Sequence, residues 1–334
     1  SGPAIASRFL LRLKGMCGDN LRDHPQARAW LSALDQPETV PVPYVRPAPM
    51  PSPEQRHIPI SVTQVDRLVA DPYAFYANKI MGFASLDRID EDPSAAWRGT
   101  IIHDILDQWA KQDDYAPAAL RERAEAFLQD PGLHPLMRSL WAPRLLEGLD
   151  WIAATVADNR KSGREPLASE IYGKAEIAGV QLSGIADRID RMPDGGLAIV
   201  DYKTGGAPSN RAVIEGYNLQ LGLLAALAEL GGFPDVAGEA VAFEYWSLAK
   251  KGGSDGFGHV RSPTQGRGDN IIAADAMVDH AVARFNKAAD DYILGSKEMT
   301  AKLHPEYARY ADYDQLMRLE EWYGRSPVEA ADHE

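Results

Sequence analysis

The chain has 334 residues, of which 45% are hydrophobic, and a formal net charge of −13. This length is enough for one large domain or two modest ones. Charged residues make up 25% of the sequence, as in soluble globular proteins, and no apolar stretch is long enough to span a bilayer, so we expect no membrane partner. The acidic balance argues mildly against a surface that coats phosphates, because non-specific nucleic-acid affinity comes from Lys and Arg. It leaves room for a local acidic metal site.

Two features of the sequence concern its cellular context. Cys17 is the only cysteine, which excludes an intrachain disulfide and an iron–sulfur cluster held by cysteines. A reducing cytoplasm is therefore the expected compartment. The sequence begins SGPAIASRFL, with neither an initiator Met nor a signal-peptide pattern, so we expect it to be cut from a longer chain.

Composition divides the chain into four segments. Residues 1–36 have the pattern of an amphipathic helical arm, and residues 37–59 contain eight prolines, which predicts an extended linker without a packed element. The main domain is predicted over 60–300, and it opens with a helix whose capping box begins at Ser61. Residues 301–334 form a predicted C-terminal tail, to which the sequence assigns no role.

Hydrophobic periodicity changes along the main domain. A period of about 3.6 residues predicts helices, whereas alternation with β-branched residues predicts strands. Helices are predicted over 94–111, 117–160, 212–230 and 270–295, and strands over 168–177, 180–190, 197–203 and 241–248. The segment Pro193-Asp194-Gly195-Gly196 predicts a turn between the second and third strands, and KKGGSDGFG predicts a loop at 250–258.

The second and third predicted strands carry the candidate chemistry. If they pair antiparallel about Asp194, Asp187 faces Asp201 directly, with their Cβ atoms about 5 Å apart. Two carboxylates at that distance repel each other, and a divalent cation with oxygen ligands would offset the repulsion. Lys203 emerges on the same face because it lies two residues beyond Asp201. Two acids, a cation and an ammonium group suit phosphodiester hydrolysis, in which the cation polarises the phosphoryl oxygen.

The alternative is that Asp201 and Lys203 form a surface ion pair worth under about 1 kcal/mol. The flanking sequence argues against this alternative. The run LAIV before Asp201 is typical of a buried strand. A carboxylate and an ammonium group are costly to bury there, so their presence indicates a function. Thr204-Gly205-Gly206 then releases the chain into a loop, where functional sites are common.

Five segments occur in the order typical of one nuclease family. They are GTIIH (99–103), Glu170 on the first core strand, GIADRID (184–190), IVDYKTG (199–205) and NLQLGLL (218–224). With these segments the sequence resembles the RecB-like branch of the PD-(D/E)XK nuclease superfamily. The resemblance implies an α/β fold in which a short mixed sheet is flanked by helices, with an added helical lobe and a helical arm in front.

The resemblance also implies roles for individual residues. Asp187 and Asp201 resemble the metal ligands of this family, and Lys203 resembles its catalytic lysine. His103 resembles an additional metal ligand of the RecB-like branch, and the backbone carbonyl of Tyr202 is implied as a further one. The implied cofactor is Mg²⁺ or Mn²⁺.

Four further residues are open to two interpretations. Glu170 resembles a catalytic acid on the first core strand, and its alternative is a solvated strand residue. Gln220 resembles the helical Gln that packs near the lysine and DNA, and its alternative is a polar residue on an otherwise apolar helix. Arg188 and Asp190 are interpreted as structural or DNA-adjacent, and not as catalytic.

Over residues 5–320 the layout resembles the C-terminal region of AddB, a subunit of the bacterial AddAB helicase–nucleases. This resemblance implies a metal-dependent DNA exonuclease domain that acts on single-stranded ends beside an AddA-like subunit and processes double-strand breaks for recombinational repair. Many members of that family hold an iron–sulfur cluster through cysteines, one of them at the position of Asp71. Here we expect no cluster. Leu224 stands where an aromatic residue commonly follows the helical Gln.

Two other functions stay open. One is a free-standing RecB-like exonuclease for single-stranded DNA, which the missing initiator Met and the segment SRFLLRL disfavour. The other is a non-catalytic DNA-binding or scaffold module that retains the fold. The presence of His103, Asp187, Asp201 and Lys203 disfavours that second alternative.

Overall fold

The computed structural model describes most of the chain. Its described residues are 6–21, 24–35, 44–84, 86, 95–130, 133, 137–250, 256–266, 270–308 and 311–323. The chain divides into two compact units, one with residues 1–45 and 324–334 and the other with residues 46–323. In the described part of the first unit, helices α1 (Arg8–Cys17) and α2 (Ala27–Asp35) form in the predicted arm, and they bury none of their side chains.

The second unit contains a mixed sheet with helices on both faces. Its strands are β1 (Ile60–Ser61), β2 (Glu165–Ile177), β3 (Val180–Arg191), β4 (Leu197–Lys203), β5 (Ala240–Lys250) and β6 (Phe257–Arg261). Its α-helices are α3 (Pro53–Arg56), α4 (Val62–Ala70), α5 (Pro72–Phe75), α6 (Ala95–Asp113), α7 (Pro117–Leu128), α8 (Ala142–Lys161), α9 (Asn210–Ile214), α10 (Gln220–Glu229), α11 (Met277–Ala288) and α12 (Leu319–Trp322). The predicted α/β fold is confirmed. No helix among the described residues combines the length and apolarity needed to cross a membrane.

The sheet is organised around β3. β2 pairs antiparallel with β3 along nearly its whole length, and β1 pairs parallel with it at Leu182 and Ser183. β4 pairs antiparallel only with the end of β3, from Arg188 to Arg191. β5 pairs parallel with β4, and β6 pairs antiparallel with β5. Because the β3–β4 pairing stops at Arg188, the two strands separate where Asp187 lies.

The β3–β4 hairpin has the register that its turn predicts. The observed pairs are Arg188–Val200, Ile189–Ile199, Asp190–Ala198 and Arg191–Leu197, which is the pairing centred on Asp194. Asp194 Oδ1 accepts a hydrogen bond of 3.0 Å from the backbone N–H of Gly196. Gly195 has a φ of +90°, which a residue without Cβ adopts readily. Turn chemistry therefore sets the register that brings Asp187 towards Asp201.

Two hydrophobic cores hold the helices against the sheet. On one face, α4, α10 and α11 pack in the same core as Ile199 of β4. On the other face, α6, α7 and α8 pack in the same core as Val200. Neighbouring residues of β4 thus face opposite layers, as a strand that is covered on both faces requires. Asp201 and Lys203 continue the series of Ile199 and point to the α4–α10 side.

The predicted helix over 212–230 is divided in two. α9 ends at Ile214 and α10 begins at Gln220. Gly216, in the turn between them, has a φ of +82°, and the backbone N–H of Leu219 donates to Asp66 Oδ1 on α4 at 2.8 Å. A left-handed glycine and a tertiary hydrogen bond, neither of which hydrophobic periodicity reveals, therefore place Gln220 at the start of α10.

Other elements also differ from the periodicity. The predicted helix over 270–295 is shorter, because α11 is preceded by a 3-10 turn at Ala274–Ala276 and followed by a π-helical turn at Ala289–Ile293. β6 begins inside the predicted loop over 250–258, and β1 was not predicted, since two residues are too few for an alternating pattern. The predicted helix start at Ser94 lies outside the described residues.

The proline-rich segment is packed where the second unit includes it. Residues 37–43 lie outside the described residues, but the carbonyl groups of Pro47 and Pro49 accept backbone hydrogen bonds from the segment 299–301. Arg56 is 1% exposed and donates to three backbone carbonyl groups. The prediction of an unpacked linker is therefore wrong for this part, because prolines keep their carbonyl acceptors and Arg56 supplies donors.

Arg188 and Asp190 belong to a buried ion-pair network. Asp190 accepts from Arg188 Nε at 2.6 Å and from Arg164 Nε at 2.7 Å. Arg164 also binds both carboxylate oxygens of Glu244, at 2.9 and 3.0 Å. The Arg188 guanidinium lies 5.2 Å from the ring centroid of Trp246. Because Arg188 and Asp190 are completely buried, their role is structural and the DNA-adjacent alternative does not hold.

The substitution Asp190→Asn should destabilise the fold strongly. It removes the charge that two buried guanidinium groups share, and breaking a buried ion pair typically costs on the order of 3 kcal/mol. Urea denaturation followed by tryptophan fluorescence measures this loss. The control Asp158→Asn breaks an exposed pair with Lys161 and should cost under about 1 kcal/mol. Equal losses in the two variants would contradict the structural role.

Candidate active site

Asp187 and Asp201 lie where β3 and β4 separate. Asp187 lies one residue beyond Arg188, where the backbone pairing of β3 with β4 ends. There its side chain takes the place of the backbone hydrogen bonds between the strands, because Oδ2 accepts a hydrogen bond from the Tyr202 backbone N–H at 2.7 Å. Both carboxylates are buried, with 6% and 1% of their residue surfaces exposed. The separation of the strands thus leaves two buried acids near each other.

Lys203 connects Asp201 with helix α10. Its Nζ lies 2.6 Å from Asp201 Oδ2 and donates to Gln220 Oε1 at 3.1 Å. The ammonium group also lies 5.9 Å from the centroid of the Tyr245 ring. Lys203 and Gln220 line a cleft of about 360 Å³ between α4 and the loop after β4. The structure therefore brings together Asp201, Lys203 and Gln220, and it opens Lys203 and Gln220 to a cleft, whereas Asp201 stays buried.

Three residues that the sequence analysis missed hold Gln220 in place. Asp66 accepts from the Asn218 side-chain amide at 3.2 Å and from the backbone N–H of Leu219. The Tyr245 hydroxyl donates to the Asn218 side chain. The start of α10 is therefore anchored to α4 and β5. Asn218 lay within the motif that contains Gln220, but no spacing links it to Asp66, which is 152 residues away.

His103 and Glu170 complete the cluster. His103 Nδ1 lies 2.7 Å from Glu170 Oε1 and 3.7 Å from Asp187 Oδ1, and its ring packs edge-on against the Tyr202 ring. Glu170 has a φ of +44°, a left-handed conformation inside a strand. Such a conformation costs on the order of 1–3 kcal/mol and is common at functional sites. Glu170 is bound to His103 and is therefore not a simple solvated strand residue.

Burial and neighbouring charges shift the protonation of the cluster. Burial lowers the pKa of His103, but the hydrogen bond with Glu170 and the charge of Asp187 outweigh it and raise this pKa to about 9. Burial, reinforced by repulsion from Asp201, raises the pKa of Asp187 well above its usual range. Burial also raises the pKa of Asp201, although Lys203 opposes the shift. Both shifts disfavour the ionised forms of these acids, and a bound cation would favour them.

The donor set fits a divalent metal ion. Ligand atoms of His103, Glu170 and Asp187 lie within 4.8 Å of one another. Carboxylate oxygens suit Mg²⁺, and an added imidazole nitrogen favours Mn²⁺. Asp201 stands beside this group and is paired with Lys203, so the group contains Glu170 where the sequence predicts Asp201. The carbonyl of Tyr202 stays a predicted ligand.

Comparison with known proteins identifies the family. A profile of the PD-(D/E)XK nuclease superfamily matches residues 59–322. The chain belongs to this superfamily. The matched range contains all six strands and every residue of the cluster around Asp187.

Individual relatives of this superfamily member are similar over shorter ranges. An uncharacterised protein of Rickettsia typhi is 32% identical over 176 residues, which are 48% of this chain and 20% of the relative. One ATP-dependent helicase/deoxyribonuclease subunit, from Streptococcus mutans, is 27% identical over 139 residues, which are 40% of this chain and 13% of that protein. The chain thus spans about a fifth of the length of the Rickettsia relative. A crystal structure of a candidate exonuclease from Eubacterium rectale aligns over 75% of this chain and 88% of its own, with 11% identity and a TM-score of 0.38.

Glu170→Gln should lower the pKa of His103 from about 9, because it removes the partner that favours the imidazolium form. NMR titration of the imidazole resonances in the presence of a chelator measures this change. A histidine whose pKa is raised by folding contributes its full share to the free energy of unfolding when the pH is below about 6.5, the pKa of histidine in the unfolded chain. That contribution is lost as the pH rises through the pKa in the folded protein. The stability difference between wild type and variant should therefore fade as the pH rises through about 9.

Glu176→Gln is the matched control for this prediction, because it removes an exposed carboxylate from the same strand. It should leave the titration of His103 unchanged. A His103 pKa that is the same in wild type and in Glu170→Gln would refute the importance of the His103–Glu170 pair.

Proposed function

We propose that this superfamily member is a metal-dependent deoxyribonuclease that hydrolyses single-stranded DNA. The metal, Mg²⁺ or Mn²⁺, is held by His103, Asp187, Asp201 and the backbone carbonyl of Tyr202. Glu170 hydrogen-bonds His103 and adds a further carboxylate to the metal site. These assignments rest on the resemblance to the RecB-like branch together with the geometry of the cluster.

The observation that carries the proposal is the pair of buried carboxylates beside one ammonium group. Asp187 and Asp201 lie at the separation of β3 and β4, and Lys203 Nζ is 2.6 Å from Asp201. A surface ion pair would be exposed, whereas Asp201 is almost completely buried. Buried acids in excess of their cations are a common arrangement for metal binding and phosphoryl chemistry.

The residues of the cluster have different roles in the proposed reaction. When bound, a divalent cation supplies Lewis-acid stabilisation to the phosphoryl oxygens and lowers the pKa of the attacking water. Lys203 is placed to stabilise the oxygen that gains negative charge in the transition state. Gln220 Oε1 accepts a hydrogen bond from the Lys203 ammonium group and so orients this group. His103 Nδ1 faces both Glu170 and Asp187, so a metal held through this nitrogen would take the place of the proton that His103 shares with Glu170.

The cellular role is proposed from the resemblance to AddB and from the name of the Streptococcus mutans relative. Residues 60–300 would be the nuclease domain of a cytoplasmic helicase–nuclease, after a helical arm at 1–36 and before a tail at 301–334. An AddA-like subunit would be its partner. The complex would process double-strand breaks as exonuclease for recombinational DNA repair.

Lys203→Gln should reduce the cleavage of labelled single-stranded DNA by about 10²–10³-fold, because a group aimed at transition-state charge is lost. The glutamine can still contact Asp201, so circular dichroism should show a folded protein. Lys161→Gln removes an exposed lysine that pairs with Asp158 and serves as the control with unchanged turnover. Near-normal turnover in Lys203→Gln would show that the catalytic assignment is wrong.

Asp187→Asn should weaken the binding of Mg²⁺ and Mn²⁺ in titration calorimetry, because a charged oxygen ligand becomes a neutral amide. In the wild-type protein, binding at neutral pH should release protons, because Glu170 and Asp187 raise the pKa of His103 to about 9 and a metal would compete with that proton. Asp158→Asn, on the exposed face of α8, should bind metal like the wild type. Unchanged Mg²⁺ binding in Asp187→Asn would contradict the paired-carboxylate site.

A further inference from the structure

A groove with a positively charged lining begins beside the candidate active site. It consists of two adjoining depressions of about 260 and 570 Å³, which share Ala249 and Lys250. We call it the basic groove and define it by Arg98, Trp141, Arg144, Lys250, His259 and Arg261. Arg98, Arg144, Lys250 and Arg261 thus bring four positive charges from four elements to its lining.

The charge of the basic groove is opposite to that of the chain as a whole. The sequence has 48 acidic residues and 35 Lys and Arg residues, yet no carboxylate among the described residues lines either depression. Arg98, Arg144 and Lys250 form no ion pair within the described part of the chain, whereas many other cations do, such as Lys161 with Asp158. Within the described part of the chain, no ion pair therefore neutralises these three cations, and they can attract an external anion.

The basic groove reaches the catalytic cluster along two elements. Arg98 and Ile102, both on α6, line its smaller depression, and His103 follows Ile102 directly. Thr204 lines the same depression and follows Lys203. A polyanion bound along the basic groove would therefore be continuous with the cluster that holds the acids and Lys203.

The walls of the smaller depression favour a single strand. Trp141 and Phe257 line it together with Leu248. Aromatic side chains in a cationic groove stack on unpaired bases, which a duplex keeps hidden inside its helix. The nearby carboxylate of Glu147 accepts a hydrogen bond from the backbone N–H of Phe257 and so holds this aromatic wall.

We propose that the basic groove binds the sugar–phosphate backbone of single-stranded DNA and guides the strand to the catalytic cluster. This inference rests on the proposed nuclease function, but it assigns a separate set of residues to substrate binding. Arg98, Arg144 and Lys250 contact phosphates, and Trp141 offers a stacking surface. None of these residues belongs to the proposed metal site.

The test measures the binding of fluorescein-labelled oligo(dT) by anisotropy, with EDTA present so that no cleavage occurs. The experiment uses the 334-residue chain. The triple variant Arg98→Ala, Arg144→Ala, Lys250→Ala should show a smaller slope than the wild type when the logarithm of the association constant is plotted against the logarithm of the salt concentration. Each phosphate contact to a single strand contributes about 0.7 to that slope, so three contacts contribute about 2. If the variant and the wild type bind equally at 1 M salt, the variant should therefore bind about 100-fold more weakly at 0.1 M salt.

A charge-matched control separates local contacts from net charge. The triple variant Arg121→Ala, Lys161→Ala, Lys287→Ala also removes three cations, all of them exposed and outside the basic groove. It should keep most of the wild-type salt slope. Equal effects of the two triple variants would overturn the groove assignment.

The remaining outcomes distinguish the groove from the nuclease proposal. Wild-type protein that binds oligo(dT) but fails to cleave it with Mg²⁺ or Mn²⁺ would defeat the nuclease proposal and leave the groove intact. Wild-type protein without affinity for oligo(dT), or a groove variant with wild-type binding, would overturn the groove even if cleavage occurs. A duplex that competes as well as a single strand would overturn the single-strand assignment.

Discussion

Two buried carboxylates that lie near each other, Asp187 and Asp201, are the constraint on which the rest of the site depends. Burial makes each of them costly to ionise, and the charge of Asp201 makes Asp187 costlier still. The protein offsets this in part. The charge of His103 favours the ionised form of both acids, the Tyr202 backbone N–H binds Asp187, and the ammonium group of Lys203 pairs with Asp201. A divalent cation would bring two positive charges to both acids at once. The separation of β3 and β4 therefore concentrates negative charge at one point of an otherwise continuous sheet.

The same strand shows how this fold treats a buried acid that has no ligand to bind. Asp190, three residues after Asp187, is completely buried and is bound by Arg164 and Arg188. Both partners carry a permanent charge, so that acid is neutralised within the chain. Asp187 instead receives a backbone N–H and faces His103, whose charge depends on pH. The difference between two acids on one strand is a physical reason to regard Asp187 as functional and Asp190 as structural.

Local chemistry decides which parts of this structure the sequence could predict. The hairpin was predictable because the Asp194 turn and the apolar run before Asp201 act over a few residues, and together they determine the register. The break between α9 and α10 was not predictable, since it depends on the distant Asp66. The contact of His103 with Glu170 spans 67 residues, and only a family resemblance pointed to either residue. The packing of the proline-rich segment was missed because it depends on Arg56, whose partners lie far away along the chain.

Net charge conceals the basic groove. The net charge of −13 is a sum over the whole chain. It hides the difference between the acidic cluster around Asp187 and the basic groove. The cations of the basic groove come from α6, α8, β5 and β6, so no window of the sequence contains more than one or two of them. Folding brings them together in a lining that contains no carboxylate among the described residues. An acidic chain can therefore attract a polyanion locally, provided that the second unit is folded.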